Sequence, residues 1–153
     1  MSRPTRTPVS TKGAPVPPPI LSQGMVVGNV VYCSGQLGVD PTTGKMVEGT
    51  VQDRTRQILR NLNAVLEAGG SSLQDAIKVN IFLTDMADFS AVNEVYATFF
   101  SDPKPVRTCI AVKSLLRDRM SKSSALVWLQ NLAMDAVLDF ERDCRDEDDV
   151  GNE

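Results

Sequence analysis

Lys104-Pro105-Val106-Arg107-Thr108-Cys109-Ile110-Ala111-Val112 is the stretch on which the fold turns. Val106, Thr108, Ile110 and Val112 alternate with Arg107, Cys109 and Ala111, the period-two signature of a strand with two unlike faces. Arg107 and Cys109 therefore share a face. Pro105 suits the first residue of a strand, where no ladder donor is needed, so the guanidinium is expected at the strand's mouth. There it offers a planar fork that can grip a carboxylate through two parallel hydrogen bonds. On spacing alone an ordinary surface ion pair explains the same arginine more simply.

Upstream of this strand, Asp85 or Asp88 can cap a helix in which Phe89, Val92, Tyr96 and Phe99 face inward. Asn93 lies at the border of that stripe, where it either orients a ligand or, more simply, caps a neighbouring loop. Ile77, Val79, Ile81 and Leu83 alternate as another strand, entered through a short turn with Ser72 and Asp75 in capping positions. Before it, Thr50 and Asp53 form a capping-box pattern. Ile58, Leu59, Leu62, Val65 and Leu66 then recur at helical spacing up to Gly69-Gly70. Met25-Val26-Val27 and Val30-Val31-Tyr32-Cys33-Ser34 flank Gly28-Asn29, the signature of a two-residue hairpin. Gly35 follows Ser34 and would let backbone N–H groups approach a ligand, although a bare Ser-Gly is usually only a turn. Asp40-Pro41-Thr42-Thr43-Gly44-Lys45 reads as a surface turn.

Residues 25–112 thus read β-β-α-β-α-β, an α+β layer with two helices on one face of a mixed sheet. The uncovered face calls for a partner, and a homo-oligomer is the expected solution.

A chain of 153 residues is long enough for one domain with a real core and too short for two comfortable ones. No apolar run approaches the ~20 residues that span a bilayer. The net charge of −3 divides unevenly: residues 139–153 carry −6 and the remainder +3. That mild excess is far from the dense basic stripe that phosphate backbones require, so nucleic acid is a weak expectation. Cys33, Cys109 and Cys144 form no close pair, which argues against a disulfide framework or a Cys-x-x-Cys site and favours a reducing compartment. There is no histidine, which removes Ser-His and Cys-His machinery and the commonest transition-metal ligand. Met1 to Pro19 hold six of the nine prolines and no acid. The expectation there is a flexible arm without regular structure, and a mitochondrial transit sequence is the alternative.

Five blocks in order, Val31 to Leu37, the Gln57 to Gly70 helix, Val79 to Phe89, Val92 to Tyr96 and Pro105 to Cys109, resemble the Rid/YjgF reactive intermediate deaminases, whose members also carry an L-PSP endoribonuclease label. The resemblance is strongest over 22–114. It implies a chorismate-mutase-like fold assembled as a homotrimer with ligand sites between subunits. The implied activity is 2-iminobutanoate/2-iminopropanoate deamination, the hydrolysis of reactive 2-imino acids or enamines to 2-oxo acids and ammonia. Such imines arise from PLP-dependent dehydratases. No cofactor and no metal are implied. Carried over by position, Arg107 holds the substrate carboxylate, Ser34 and Gly35 line the cleft beside it, and Asn93 lies near the pocket. Cys109 presents backbone polar groups to the imine, and nothing nearby would turn its thiol into a nucleophile. The alternatives are a non-catalytic carboxylate-binding member of the same fold and, with less support, an RNA-cleaving or translation-inhibiting protein. The cytoplasm or the mitochondrion is the expected location.

Two departures qualify the resemblance. Leu21 stands where the family often has a pocket-closing tyrosine. After Ser114 the family normally has a final strand of the kind Val-Glu-Ile-Glu, whose last glutamate serves the water. Here Leu126, Leu129, Ala133, Ala136, Val137 and Phe140 fall at helical spacing. Asp139 and Glu141 are the late acids left to match that glutamate, with Glu141 the candidate. Either a segment is inserted and 137–141 supply the last strand, or the end is unrelated and one strand is missing. The acid-rich, motif-free end favours the second. The expected organisation is an arm over 1–19, a domain over 20–141 that is atypical from 115, and a disordered acidic tail over 142–153.

Overall fold

The computed structural model describes residues 5–115 and the backbone of 125–132. Its strands are β1 (Arg6–Val9), β2 (Gly24–Val27), β3 (Val30–Cys33), β4 (Ala76–Leu83), β5 (Val106–Ala111) and β6 (Ala125–Leu132). Its helices are α1 (Val51–Ala68) and α2 (Phe89–Phe99). Among the described residues one six-stranded sheet runs in the order β1-β2-β3-β6-β4-β5, antiparallel except for the parallel β4–β5 pair. This is the expected α+β class, with a mixed sheet and two helices.

Local chemistry explains most elements. Gly28 takes φ 59° between β2 and β3 while Asn29 stays at negative φ, so only the first central residue is left-handed, as in a II′ hairpin. Thr50 and Asp53 close the capping box of α1, and their hydrogen bonds hold the Asp53 carboxyl below the usual range. At the other end Gly70, at φ 82°, and Ser71 donate back to Glu67 and Leu66, the two bonds of a Schellman stop. Ser72 and Asp85 cap short 3₁₀ turns before β4 and α2.

Both helices share one core with the sheet. Ile58, Leu59, Leu62, Val65 and Leu66 of α1 meet Val31 and Cys33 of β3, Val79, Ile81 and Leu83 of β4, and Val92, Val95 and Tyr96 of α2. The alternation of β4 breaks at Ile77. There the register with β6 slips between Ala76 and Lys78, and the extra residue is left partly exposed. On the face away from the helices Tyr32, Val106 and Ile110 stand exposed, Val106 at 63%. The uncovered sheet face expected from the sequence is therefore present in the single chain.

Two expectations are corrected. The Pro-rich start does form a regular element. Arg6–Val9 pairs with β2, and Pro8 is tolerated because β1 is an edge strand whose outer side needs no donor. The following turn is fixed by a buried amide: Gln23 accepts from Thr11 N–H and donates to the carbonyls of Thr11, Ala14 and Pro15. The second correction concerns the end. Ala125–Leu132, read as helical, is the strand β6, seated between β3 and β4, so the sheet lacks no strand there. The strand opens on five apolar residues, Ala125 to Leu129, and a short apolar run fits either period.

Asn61 ties α1 to the loop that follows β3. It is fully buried and donates to the carbonyls of Val39 at 2.8 Å and Leu37 at 3.3 Å, while its own oxygen accepts from Gln57. Asn61→Ala strands both carbonyls without donors. Urea unfolding is expected to register a loss of about 2–4 kcal/mol, at a rough 1–3 kcal/mol for each unsatisfied buried group.

Candidate active site

The parallel register places Val79 beside Arg107 and Ile81 beside Cys109. Since Val79 and Ile81 face the helices, so do Arg107 and Cys109. The guanidinium enters the layer between sheet and helix at the edge strand, half-buried under α2. There Nη1 donates to Asn93 Oδ1 at 2.6 Å, and Cζ lies 4.8 Å from the Tyr96 ring centroid and 5.6 Å from that of Phe89. The loop-capping reading of Asn93 is thereby corrected: its amide oxygen is aimed across the layer at β5. Arg107 has no carboxylate within ion-pair distance among the described residues. The Arg56–Asp53 and Lys104–Asp102 pairs lie elsewhere. The surface ion pair that spacing alone favoured is absent there too.

Cys109 sits two residues along on the same face. Burial pushes its thiol pKa up and Arg107 opposes the shift only in part, so it is no ready nucleophile. Tyr96 behaves alike, raised by burial and lowered by Arg107. Its hydroxyl is buried without a hydrogen-bond partner among the described residues.

Ser34 and Gly35 lie apart from this cluster. Ser34 N–H donates to Gln23 O at 2.9 Å and its hydroxyl donates to Ser22 O at 2.6 Å, which leaves the oxygen as an acceptor. It lines a concavity of about 480 Å³ together with Arg6, Ile20, Leu21, Ser22 and Tyr32. Between β3 and β5 lie β6 and β4, so three strand spacings, roughly 14 Å, separate the two groups within one chain. Tyr32 and Arg6 belong to the open face of the sheet, whereas Arg107 points to the helices. Glu141 and Asp139 lie outside the described residues. β6, the strand that occupies the expected last position, reads Ala-Leu-Val-Trp-Leu-Gln-Asn-Leu and holds no acid. Among its residues Gln130 stands at the register position opposite Tyr32 and Lys78.

A family model described as Endoribonuclease L-PSP matches residues 11–121. The chain belongs to this family. The match extends beyond both ends of the 22–114 resemblance. Among curated relatives, "Protein mmf1, mitochondrial" of Schizosaccharomyces pombe is 50% identical over 111 residues, covering 72% of this chain and 67% of the relative. A protein of Dermatophagoides farinae named 2-iminobutanoate/2-iminopropanoate deaminase is 38% identical over 122 residues, 80% of this chain and 95% of its own. Among solved structures, E. coli TdcF with bound serine superposes with a TM-score of 0.75 at 33% identity, covering 82% of this chain and 98% of that one. The fold described above is thus close to that of this solved relative over nearly its whole length.

Tyr96 and Phe89 were legible only as inward-facing aromatics. Their contact with Arg107 joins residues far apart in sequence, and only the α2 stripe spacing hinted at it.

Cys33 supplies a measurable pH dependence. Burial alone pushes its thiol up to about 12 from 9.0, so above pH 9 the unfolded chain releases a proton that the folded chain keeps. Its contribution is complete below pH 9 and is lost as pH rises toward 12, at up to about 1.4 kcal/mol per pH unit. Urea unfolding at pH 8 and pH 10.5 is expected to show a shallower alkaline loss for Cys33→Ala than for the unsubstituted chain.

Proposed function

We propose that the chain hydrolyses small 2-imino acids to 2-oxo acids and ammonia, with Arg107 as the carboxylate anchor. The observation that carries this reading is a half-buried guanidinium, oriented by Asn93 and free of any neutralising carboxylate among the described residues. Its positive charge and most of its five donors remain for an incoming anion. The name of the Dermatophagoides relative and the serine in TdcF, itself a small carboxylate, support the same ligand class.

A 2-imino acid needs little else. Protonation of the imine nitrogen makes C2 electrophilic. Water adds through its oxygen and gives up one proton, the carbinolamine nitrogen takes up a proton, and as the C–N bond breaks the hydroxyl releases its own proton, leaving ammonia and the 2-oxo acid. Gripping the carboxylate fixes C2 beside ordered water, and polar backbone groups near Cys109 stabilise the developing amine. Leu21, in place of a hydroxyl-bearing tyrosine, makes the concavity beside Ser34 more apolar and favours imines with an aliphatic side chain.

Arg107 and Ser34 cannot meet within one chain, so a site that uses both draws them from neighbouring copies. A homotrimer that covers the open sheet face supplies such seams. Sedimentation is expected to give about three times the 16.6 kDa chain mass. A second reading, a binding protein for small carboxylates without turnover, is favoured by the absence of an acid in β6. The cytoplasm or, as the name of the fission yeast relative suggests, the mitochondrion is the proposed location.

The test couples the protein to a PLP-dependent serine or threonine dehydratase in a buffer that slows spontaneous imine hydrolysis. Faster keto acid release is expected, with about 10- to 100-fold less acceleration in Arg107→Ala, as suits the loss of a charge-assisted grip of roughly 1.5–3 kcal/mol. Release that is equal with and without the protein, together with calorimetric binding of 2-oxobutanoate, moves the assignment to the binding reading.

A further inference from the structure

Arg107 is held by a single line of side chains on α2. Phe89, Asn93 and Tyr96 follow at spacings of four and three, which stacks them along one helical face above β5. Asn93 takes one in-plane N–H, while the two rings lie 4.8 and 5.6 Å from Cζ.

This manner of holding a cation differs in kind from an ion pair. An internal carboxylate would occupy the in-plane donors and cancel the charge. Aromatic faces attract the guanidinium through their quadrupole and leave the donors at its edge open. They also restrict rotation of the plane, so the fork meets a carboxylate already oriented.

We propose that Tyr96, with Phe89 as the weaker partner, is a positioning residue that fixes the plane of the Arg107 guanidinium and thereby sets the affinity for the ligand carboxylate. The ring does this and not the hydroxyl, which has no partner among the described residues. The inference rests on the reading of Arg107 as the carboxylate anchor.

The test follows the Arg107 Nε–Hε resonance of the full chain by NMR, with thermal unfolding and calorimetric titration of 2-oxobutanoate alongside. In the unsubstituted protein the signal is expected upfield, shifted by the rings, and motionally restricted. Tyr96→Phe keeps that signature and the affinity. Tyr96→Leu moves the signal toward the random-coil position and weakens binding roughly 3- to 30-fold, the range a partly desolvated cation–π contact supports. In an Arg107→Lys background the same change adds less than about twofold, since no planar fork remains to orient. An unmoved Nε signal or unchanged affinity in Tyr96→Leu overturns the proposal, as does a loss in Tyr96→Phe equal to that in Tyr96→Leu. If Tyr96→Leu does not fold, Phe89→Leu carries the test with the same readouts at smaller amplitude, and no change there overturns it. Absence of 2-oxobutanoate binding by the unsubstituted chain sinks the carboxylate reading alone, and the Nε signal still judges the positioning role.

Discussion

The parallel register of β4 and β5 is the constraint from which the site follows. With Val79 beside Arg107, a cation occupies a position that the rest of the sheet fills with apolar side chains. A slip of one residue would send Arg107 to the open face, away from Asn93 and the aromatic rings, and would turn Val106 and Thr108 toward α2. The register is secured from both sides. Val79, Ile81 and Leu83 must reach the core, and Val112 N–H extends the ladder to Leu83 O at 2.8 Å. Burial of these β4 side chains orients that strand, and the parallel ladder carries the orientation over to Arg107.

Much of this architecture was legible because its signals are local. The Gly-Asn hairpin, the Thr50–Asp53 box, the helical stripe ending at Gly69-Gly70, the alternation of β5 and that of β4 from Val79 onward each lie within a few residues, and each is present. Arg107 and Cys109 were placed on one face by spacing alone. The misreadings have long-range causes. β1 was hidden by prolines that only an edge position excuses, and β6 by an apolar run whose leucines satisfy two periods. The partner of Asn93 lies fourteen residues away in sequence and across a layer, so the residue alone could not disclose it.

Side-chain amides serve at three points outside the regular ladders. Gln23 satisfies the turn after β1, Asn61 holds the loop after β3, and Asn93 orients the cation. Each offers both a donor and an acceptor without adding charge, which suits a thin core that cannot hold unpaired ions. Cys33 and Cys109 behave as small apolar residues in the same layer, and burial raises both thiols.

β6 is the last of the described strands in chain order but occupies the middle of the sheet. Until residue 132 has left the ribosome, the β1–β3 meander and the β4–α2–β5 unit have no backbone ladder in common, and the inner rims of β3 and β4 remain open. A nascent chain halted before that point carries two bare strand edges, each a template for pairing with other polypeptides. Without β6 the two halves of the sheet share no neighbouring strands, so those bare edges are a property of the topology itself.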